Sequence, residues 1–431
     1  MGLLNPVDFS KGKVGPNVLG GDDGIASLIM HGVAVAAKID LLETKEIYKL
    51  SDAEALGLDA DYDDTNKVLV WYQIKEFYRM YKAITGNDSA QLFIMLVANT
   101  VTAGDLDVTM EDIVEDTNST MSKALINDAE GKIRWMGICM NPAATYVSSL
   151  LNGMDADVQA AIPKAQLLAD WAWGGDRPLN IILEGREFDG TAAAAQDLRD
   201  ITGVNAENVS VVILQDYAFA DGLEVLRQVH ACVGAVLGVR AAMEVHENIG
   251  EVERCSLQDV QRSAFVSVGL SSHEKVSSRV ADLDTLDAKG YIFGFKYTDF
   301  DGVYLNNDHT CTPIELDAEG NLNLAYMSSG AVVGKAKRLL RTAMLPKIKT
   351  THEINAATGK LSTGTIKYFE GIGNTELNRM MSNGEITAGE AYVDPDSNLL
   401  VAPRELTVDF AVVPKGTIDT IKGSINLKTN L

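Results

Sequence analysis

Along this chain, short runs of consecutive apolar residues alternate with stretches in which apolar positions recur every three or four residues. Strand-like runs fall at residues 25–37, 91–98, 133–139, 179–184 and 209–215. Helical spacing fills the intervals, at 51–56, 65–82, 110–127, 156–171, 191–200 and 222–246. In 65–82, Val68, Leu69, Tyr72, Phe77 and Tyr81 form one broad stripe, and Asp64 or Thr65 can cap the first turn. Apolar strands separated by helices predict an α/β fold. The sheet is expected to be mainly parallel or mixed, flanked by helices and joined by right-handed crossovers.

After Val252 the rhythm changes. Residues 264–270 and 290–297 read as strands, 299–311 as a turn-rich loop, and 326–345 as a helix carrying Lys335, Lys337, Arg338 and Arg341 and ended by Pro346. Residues 353–369 carry a hairpin signal around Ala357-Thr358-Gly359-Lys360. A short helix at 375–382 and a strand at 388–393 lead to the turn Asp394-Pro395-Asp396-Ser397-Asn398. The expected organisation is an extended N-terminal arm (1–24), an α/β domain (25–250), a C-terminal α+β region (251–403) and a C-terminal β arm (404–431).

The two ends carry the most distinctive pattern. Leu406, Val408, Phe410 and Val412 alternate with polar or small residues, and Pro414, Lys415 and Gly416 interrupt the run. A second alternation follows, with Ile421, Ile425 and Leu427 on one side and Lys422, Ser424, Asn426 and Lys428 on the other. The first two dozen residues, rich in Gly, Pro and Asn and including Val14 and Val18, read as a matching arm. Such ends point to strand addition between copies, with main-chain hydrogen bonds giving affinity and alternate side chains giving register. The same pattern also suits a hairpin on the edge of the chain's own sheet.

Charge adds an asymmetry. The net charge is −23, which excludes a nucleic-acid partner, whose phosphates require a basic surface. From Gly330 onward there are 13 Lys and Arg against 10 Asp and Glu, so the preceding part carries all the excess acid. Head-to-tail contact between copies suits this distribution, as does a plain solvated surface. The apolar stretch 25–37 is too short for a bilayer, so no membrane insertion is expected. The first residues lack a basic region leading into an apolar core, which points to assembly in the cytoplasm.

Candidate chemistry is sparse. Cys139, Cys232, Cys255 and Cys311 form no CxxC pair and read as buried free thiols. His230 and Cys232 sit within a helical pattern at i and i+2, on different faces. His309 and Cys311 lie in a polar loop with Asp299, Asp301 and Asp308, an arrangement that suits a casual ion site but not an EF-hand. Gly371-Ile372-Gly373-Asn374 is too short for a dinucleotide fingerprint, and no Gly-x-Ser-x-Gly elbow is present. Trp171 and Trp173 read as core or interface anchors. No catalytic residue, cofactor site or metal site is assigned, and no enzyme is expected.

The order of several segments resembles the contractile tail sheath proteins of phages and related injection systems, above all a compact subfamily found in prophages. The likeness rests on Gly32-Val33-Ala34-Val35, on the stretches 50–58 and 70–78, and on 302–312. It continues through the basic helix from Lys335 to Arg341, then Val393-Asp394-Pro395 and Val413-Pro414-Lys415-Gly416. The resemblance implies a structural subunit of stacked rings around an inner tube, which contracts to drive that tube through a target cell envelope. It implies a helical homopolymer joined by arms that include Val14, Val18, Leu406, Val408, Phe410, Ile421, Ile425 and Leu427. Other implied partners are the inner tail tube protein, baseplate and tail terminator proteins, in a virion tail or injection particle. On this reading Lys335, Lys337, Arg338 and Arg341 are expected to face the tube. The alternatives are a soluble α/β ligand-binding protein or enzyme, and another tail or tube structural protein.

Overall fold

A computed structural model of the chain describes residues 23–189, 191–201, 203–318, 320–401, 404–425 and 427. Val14 and Val18 lie outside the described residues. Seven strands make the main sheet: β1 (Ala26–Gly32), β2 (Lys45–Ile47), β3 (Leu92–Ala98), β4 (Trp135–Cys139), β5 (Asn180–Glu184), β6 (Val209–Val212) and β7 (Tyr291–Ile292). Their spatial order is β7-β6-β5-β4-β1-β3-β2. All neighbours are parallel except β2 and β3. Every residue of β1, β4, β5 and β6 is buried, which is why each reads as a mainly apolar run without alternation, the few polar members such as Ser27, His31 and Glu184 being buried too. The α/β expectation holds, with strands shorter at their ends than the sequence suggested.

Helices cover both faces. Among them are α1 (Val70–Thr85), α2 (Ala156–Gly174) and α3 (Val233–Ala242). The pair α1 and α3 touches backbone to backbone. A Cβ on Gly234 would lie 2.0 Å from the Gln73 carbonyl oxygen, and one on Gly238 would lie 2.4 Å from that of Phe77. Gln73 locks the seam, its Nε2 donating to Ala231 O at 2.8 Å and its Oε1 accepting from Gly234 N at 2.7 Å.

Several expected helices are interrupted, each by a polar side chain that captures backbone groups. The 65–82 helix is in fact Ala60–Asn66 followed by α1, with Lys67 left-handed at φ 57°. Asp63, not Asp64 or Thr65, accepts the amides of Trp71 and Tyr72 at the new helix start. Within 110–127, Glu115 and Asn118 take the amides of Thr117 and Thr120, leaving short helices Met110–Val114 and Ser122–Asp128. Residues 191–200 form turns, because Lys289 Nζ binds the carbonyls of Ala192 and Ala195 and the Tyr291 hydroxyl binds that of Gln196.

The C-terminal region contains α4 (Met327–Met344), α5 (Thr363–Ser382), and the antiparallel pair β8 (Ile386–Val393) and β9 (Val408–Pro414). The expected 353–369 hairpin is corrected. Its turn exists, with Gly359 at φ +72° and the Ile354 and Leu361 bridge, but Ser362 then caps α5 by accepting from Thr365 N. The short helix at 375–382 is the last part of α5. The 406–412 ribbon also has a mate of its own, since β9 pairs with β8 from Val393↔Val408 to Ile386↔Pro414.

Candidate assembly interface

The crevice at the carboxyl ends of β1 and β4 is where the strand order reverses, the usual ligand site of such sheets. Here side chains fill it. Glu184 accepts from Met140 N at 2.6 Å and from Ala231 N at 2.9 Å. Asn141 Nδ2 donates to His31 O at 3.0 Å, while its Oδ1 accepts from Leu69 N at 3.0 Å. Burial raises Glu184 to about 7, against the pull of Arg186 and the two amides. Burial likewise lowers His31, and takes His230 down to about 4.

The same network breaks the expected 222–246 helix. Glu184 holds Ala231, Gln215 Nε2 binds the carbonyls of Gln228 and His230, and Cys232 N donates to Leu214 O at 2.7 Å. His230 and Cys232 therefore lie in a buried link before α3, not inside a helix. The His309 and Cys311 loop is likewise committed within the fold. His309 contacts Arg199 and lies 2.8 Å from Asp287. Asp308 caps α4 through Ser328 N at 2.9 Å and binds Asn248 at 2.8 Å. This corrects the casual ion site, and no His, Cys, Asp and Glu grouping suited to a metal occurs among the described residues. All four thiols are buried, and burial holds each above its ordinary value, Cys255 and Cys311 at about 12. None is poised as a thiolate nucleophile.

The surface built for contact is the C-terminal hairpin. Val408, Phe410 and Val412 turn toward the body while Asp409, Ala411 and Val413 face out, the alternation the sequence predicted. Phe410 and Val412 pack on the main core, and Leu406 and Val408 pack on Leu361, Phe369 and Val393. Helix α5 lies beneath, close enough that a Cβ on Gly373 would meet Ala391 Cβ at 2.6 Å and Phe410 Cε1 at 2.8 Å.

The two edges of this hairpin differ. On β8, the outward amides of Ala391 and Val393 donate to Asn374 Oδ1 at 2.8 Å and Glu370 Oε1 at 3.5 Å on α5. Helix side chains thus close that edge. On β9, antiparallel alternation turns the main-chain groups of Val408, Phe410 and Val412 away from β8. Among the described residues no strand joins them. Beyond Pro414 the chain crosses a groove of about 1100 Å³ with Lys415–Thr420 along one side, opposite Val266, Val280, Phe295 and Tyr297. Ile421, Ile425 and Leu427 are then 88%, 103% and 104% exposed, with no strand mate among the described residues.

The basic residues of α4 do share one helix, but carboxylates of this chain neutralise them. Lys335 binds Asp23 and Glu385, both at 2.6 Å, and Arg338 also binds Asp23. Arg341 and Lys337 bind Asp176 at 2.6 and 3.4 Å, and Lys337 lies 4.1 Å over the Trp173 ring. Each of the four is thus paired with a carboxylate of its own chain. Trp173, read as an anchor, stays 40% exposed beneath that lysine. Sequence reasoning missed Asp23, Asp176 and Glu385, whose partners are distant in sequence.

Comparison with known proteins completes the picture. No curated protein matches the chain. Residues 12–309 match the family described as DUF2586, N-terminal domain, and residues 325–431 match DUF2586, C-terminal domain. Among solved structures, a chain from the anti-feeding prophage baseplate is similar with TM-score 0.60 at 10% identity, covering 98% of this chain and 99% of that one. The contracted helical sheath of the anti-feeding prophage gives 0.56 at 12%, covering 98% and 99%. The contracted PVC sheath complex of an extracellular contractile injection system gives 0.50 at 10%, covering 98% and 97%. Two family matches across most of the length and a shared fold end to end lead to one statement: the chain belongs to the DUF2586 family and has the fold of these contractile-particle proteins.

Proposed function

We propose that this protein is the structural subunit of a contractile sheath, a helical polymer of its own copies around an inner tube, in a phage-tail-like particle. The observation that carries the reading is the apolar alternation at Ile421, Ile425 and Leu427, which pairs with no strand among the described residues and leaves from a hairpin whose β9 edge none of them covers with a strand. The whole-length fold likeness to the anti-feeding prophage and PVC sheath proteins supports it. An exposed strand is a template for another chain, and adding a neighbour's strand to β9 satisfies both. Val14, Val18, Ile421, Ile425 and Leu427 are the residues assigned to such contacts, and β9 is the receiving edge. The body has no catalytic role in this reading. Its ligand crevice is filled, and contraction draws on differences in interface free energy between two lattices. Tube, baseplate and terminator proteins are the other partners, with assembly in the host cytoplasm.

The test is removal of residues 416–431. The truncated chain should remain folded and soluble yet form no tubes by negative-stain electron microscopy under conditions where the full chain does. Normal tubes from the truncated chain would refute the proposal.

A further inference from the structure

The first described residue and the start of the segment beyond the C-terminal hairpin are joined through one side chain. Asp23, the first described residue, is fixed by its side chain to Lys335 and Arg338 and by its carbonyl, which accepts from Trp135 Nε1 at 3.1 Å. Gly24 follows with no room for a side chain, since a Cβ there would lie 2.3 Å from Ala241 O. At the other end, Glu385 stands immediately before β8, and Lys415 stands immediately after Pro414, the β9 residue paired with Ile386. The base of the hairpin and the exit of the C-terminal segment are thus adjacent. One ammonium joins the two ends: Lys335 Nζ lies 2.6 Å from Asp23 Oδ2 and 2.6 Å from Glu385 Oε1. Its side chain is 18% exposed and that of Glu385 is 6% exposed, so water screens the arrangement poorly.

We propose that Lys335 is a joint that couples the root of the N-terminal segment to the base of the C-terminal hairpin, so that a pull on one is delivered to the other. Its use in the particle rests on the sheath reading. If both ends bind neighbours, tension along the polymer reaches β1 along the chain from Asp23, and Lys335 adds a second path from Asp23 to Glu385 and β8. A lysine suits the role because its compact cation presents three donors from a single atom and can serve two carboxylates together. Removing it would leave Asp23 with Arg338, but Glu385 would keep a buried carboxylate whose Oε2 has no hydrogen-bond partner among the described residues.

The deciding experiment is a mutant cycle on the free full-length subunit. Asp23→Asn, Glu385→Gln and the double variant are compared by chemical denaturation, with Lys335 intact and with Lys335→Met. Coupling through Lys335 predicts that the double variant departs from the product of the singles by ~fivefold or more in unfolding constant. With Lys335→Met the departure should vanish. Effects that simply multiply with Lys335 intact overturn the joint. Should Lys335→Met not fold, hydrogen exchange on Asp23→Asn decides. Faster exchange by several fold at the amides of residues 386–393, across the lysine, supports coupling, and unchanged exchange overturns it. In assembled tubes, the double variant should fragment on contraction where the unaltered protein stays whole. Intact contracted tubes overturn the mechanical role. Absence of tubes from the unaltered protein overturns the sheath reading instead, and the cycle still decides the joint.

Discussion

Two glycines in one helix provide opposite tests of how the hairpin is seated. In α5, Gly371 is exposed with nothing within 4 Å of a built Cβ, whereas Gly373 is buried against Ala391 Cβ and Phe410 Cε1. Replacing glycine by alanine inside a helix contributes about 1 kcal/mol through backbone entropy. Gly371→Ala should therefore stabilise by about that amount. Gly373→Ala gains the same propensity, but its methyl group would collide at 2.6 and 2.8 Å, and overpacking costs about 1–3 kcal/mol. The Ala391 methyl cannot swing aside, so the upper half of that range applies and the net loss should be about 1–2 kcal/mol. Denaturant unfolding gives the sign, and hydrogen exchange localises it to β8 and β9. If both substitutions move stability the same way, the close approach of hairpin and helix is wrong. Loss of tubes with Gly373→Ala but not with Gly371→Ala would tie the seating to assembly.

Two other outcomes concern the body. A carboxyl group raised by burial, as Glu184 is from 4.5 to about 7, holds its proton more tightly folded than unfolded. Its contribution to stability is therefore greatest below 4.5 and falls as pH rises to about 7, by up to about 3 kcal/mol. The unaltered protein measured against Glu184→Gln should lose relative stability from pH 5 to pH 7.5, and a constant difference would refute the assignment. His31 and His230 titrate in both proteins and cancel. Gly238→Ala should destabilise by at least ~2 kcal/mol, since its Cβ would lie 2.4 Å from Phe77 O, while Gly174→Ala, with open space, should not. Equal unfolding midpoints for these two variants would remove the case for a backbone seam between α1 and α3.

The sheet was legible because strands covered on both faces are mostly apolar, as β1 is apart from Ser27 and His31 and β5 is between Asn180 and Glu184. The alternation in β9 was legible for the complementary reason, having one covered face. Helix continuity was not. The break before α3 depends on Glu184 and Gln215, which arrive from other strands, and the break before α1 depends on a left-handed Lys67 that periodicity does not encode. The turn at Ala357-Thr358-Gly359-Lys360 was real, but it leads into the Ser362 cap of α5 and not into a second strand. The candidate site was half readable. The terminal alternation could be seen, but the cluster at Lys335 joins α4 and Glu385, just before β8, to Asp23, and no local spacing announces it. A cation-rich helix looked like an outward surface because its carboxylates were far away in sequence.

The crevice sealed by Glu184, Asn141 and His31 has a consequence for control. The usual small-molecule position of an open α/β sheet is taken up by the chain's own side chains, so a ligand acting there would first have to displace buried, hydrogen-bonded groups. Under the sheath proposal, a signal to one body would then have to arrive through its contacts with neighbouring copies.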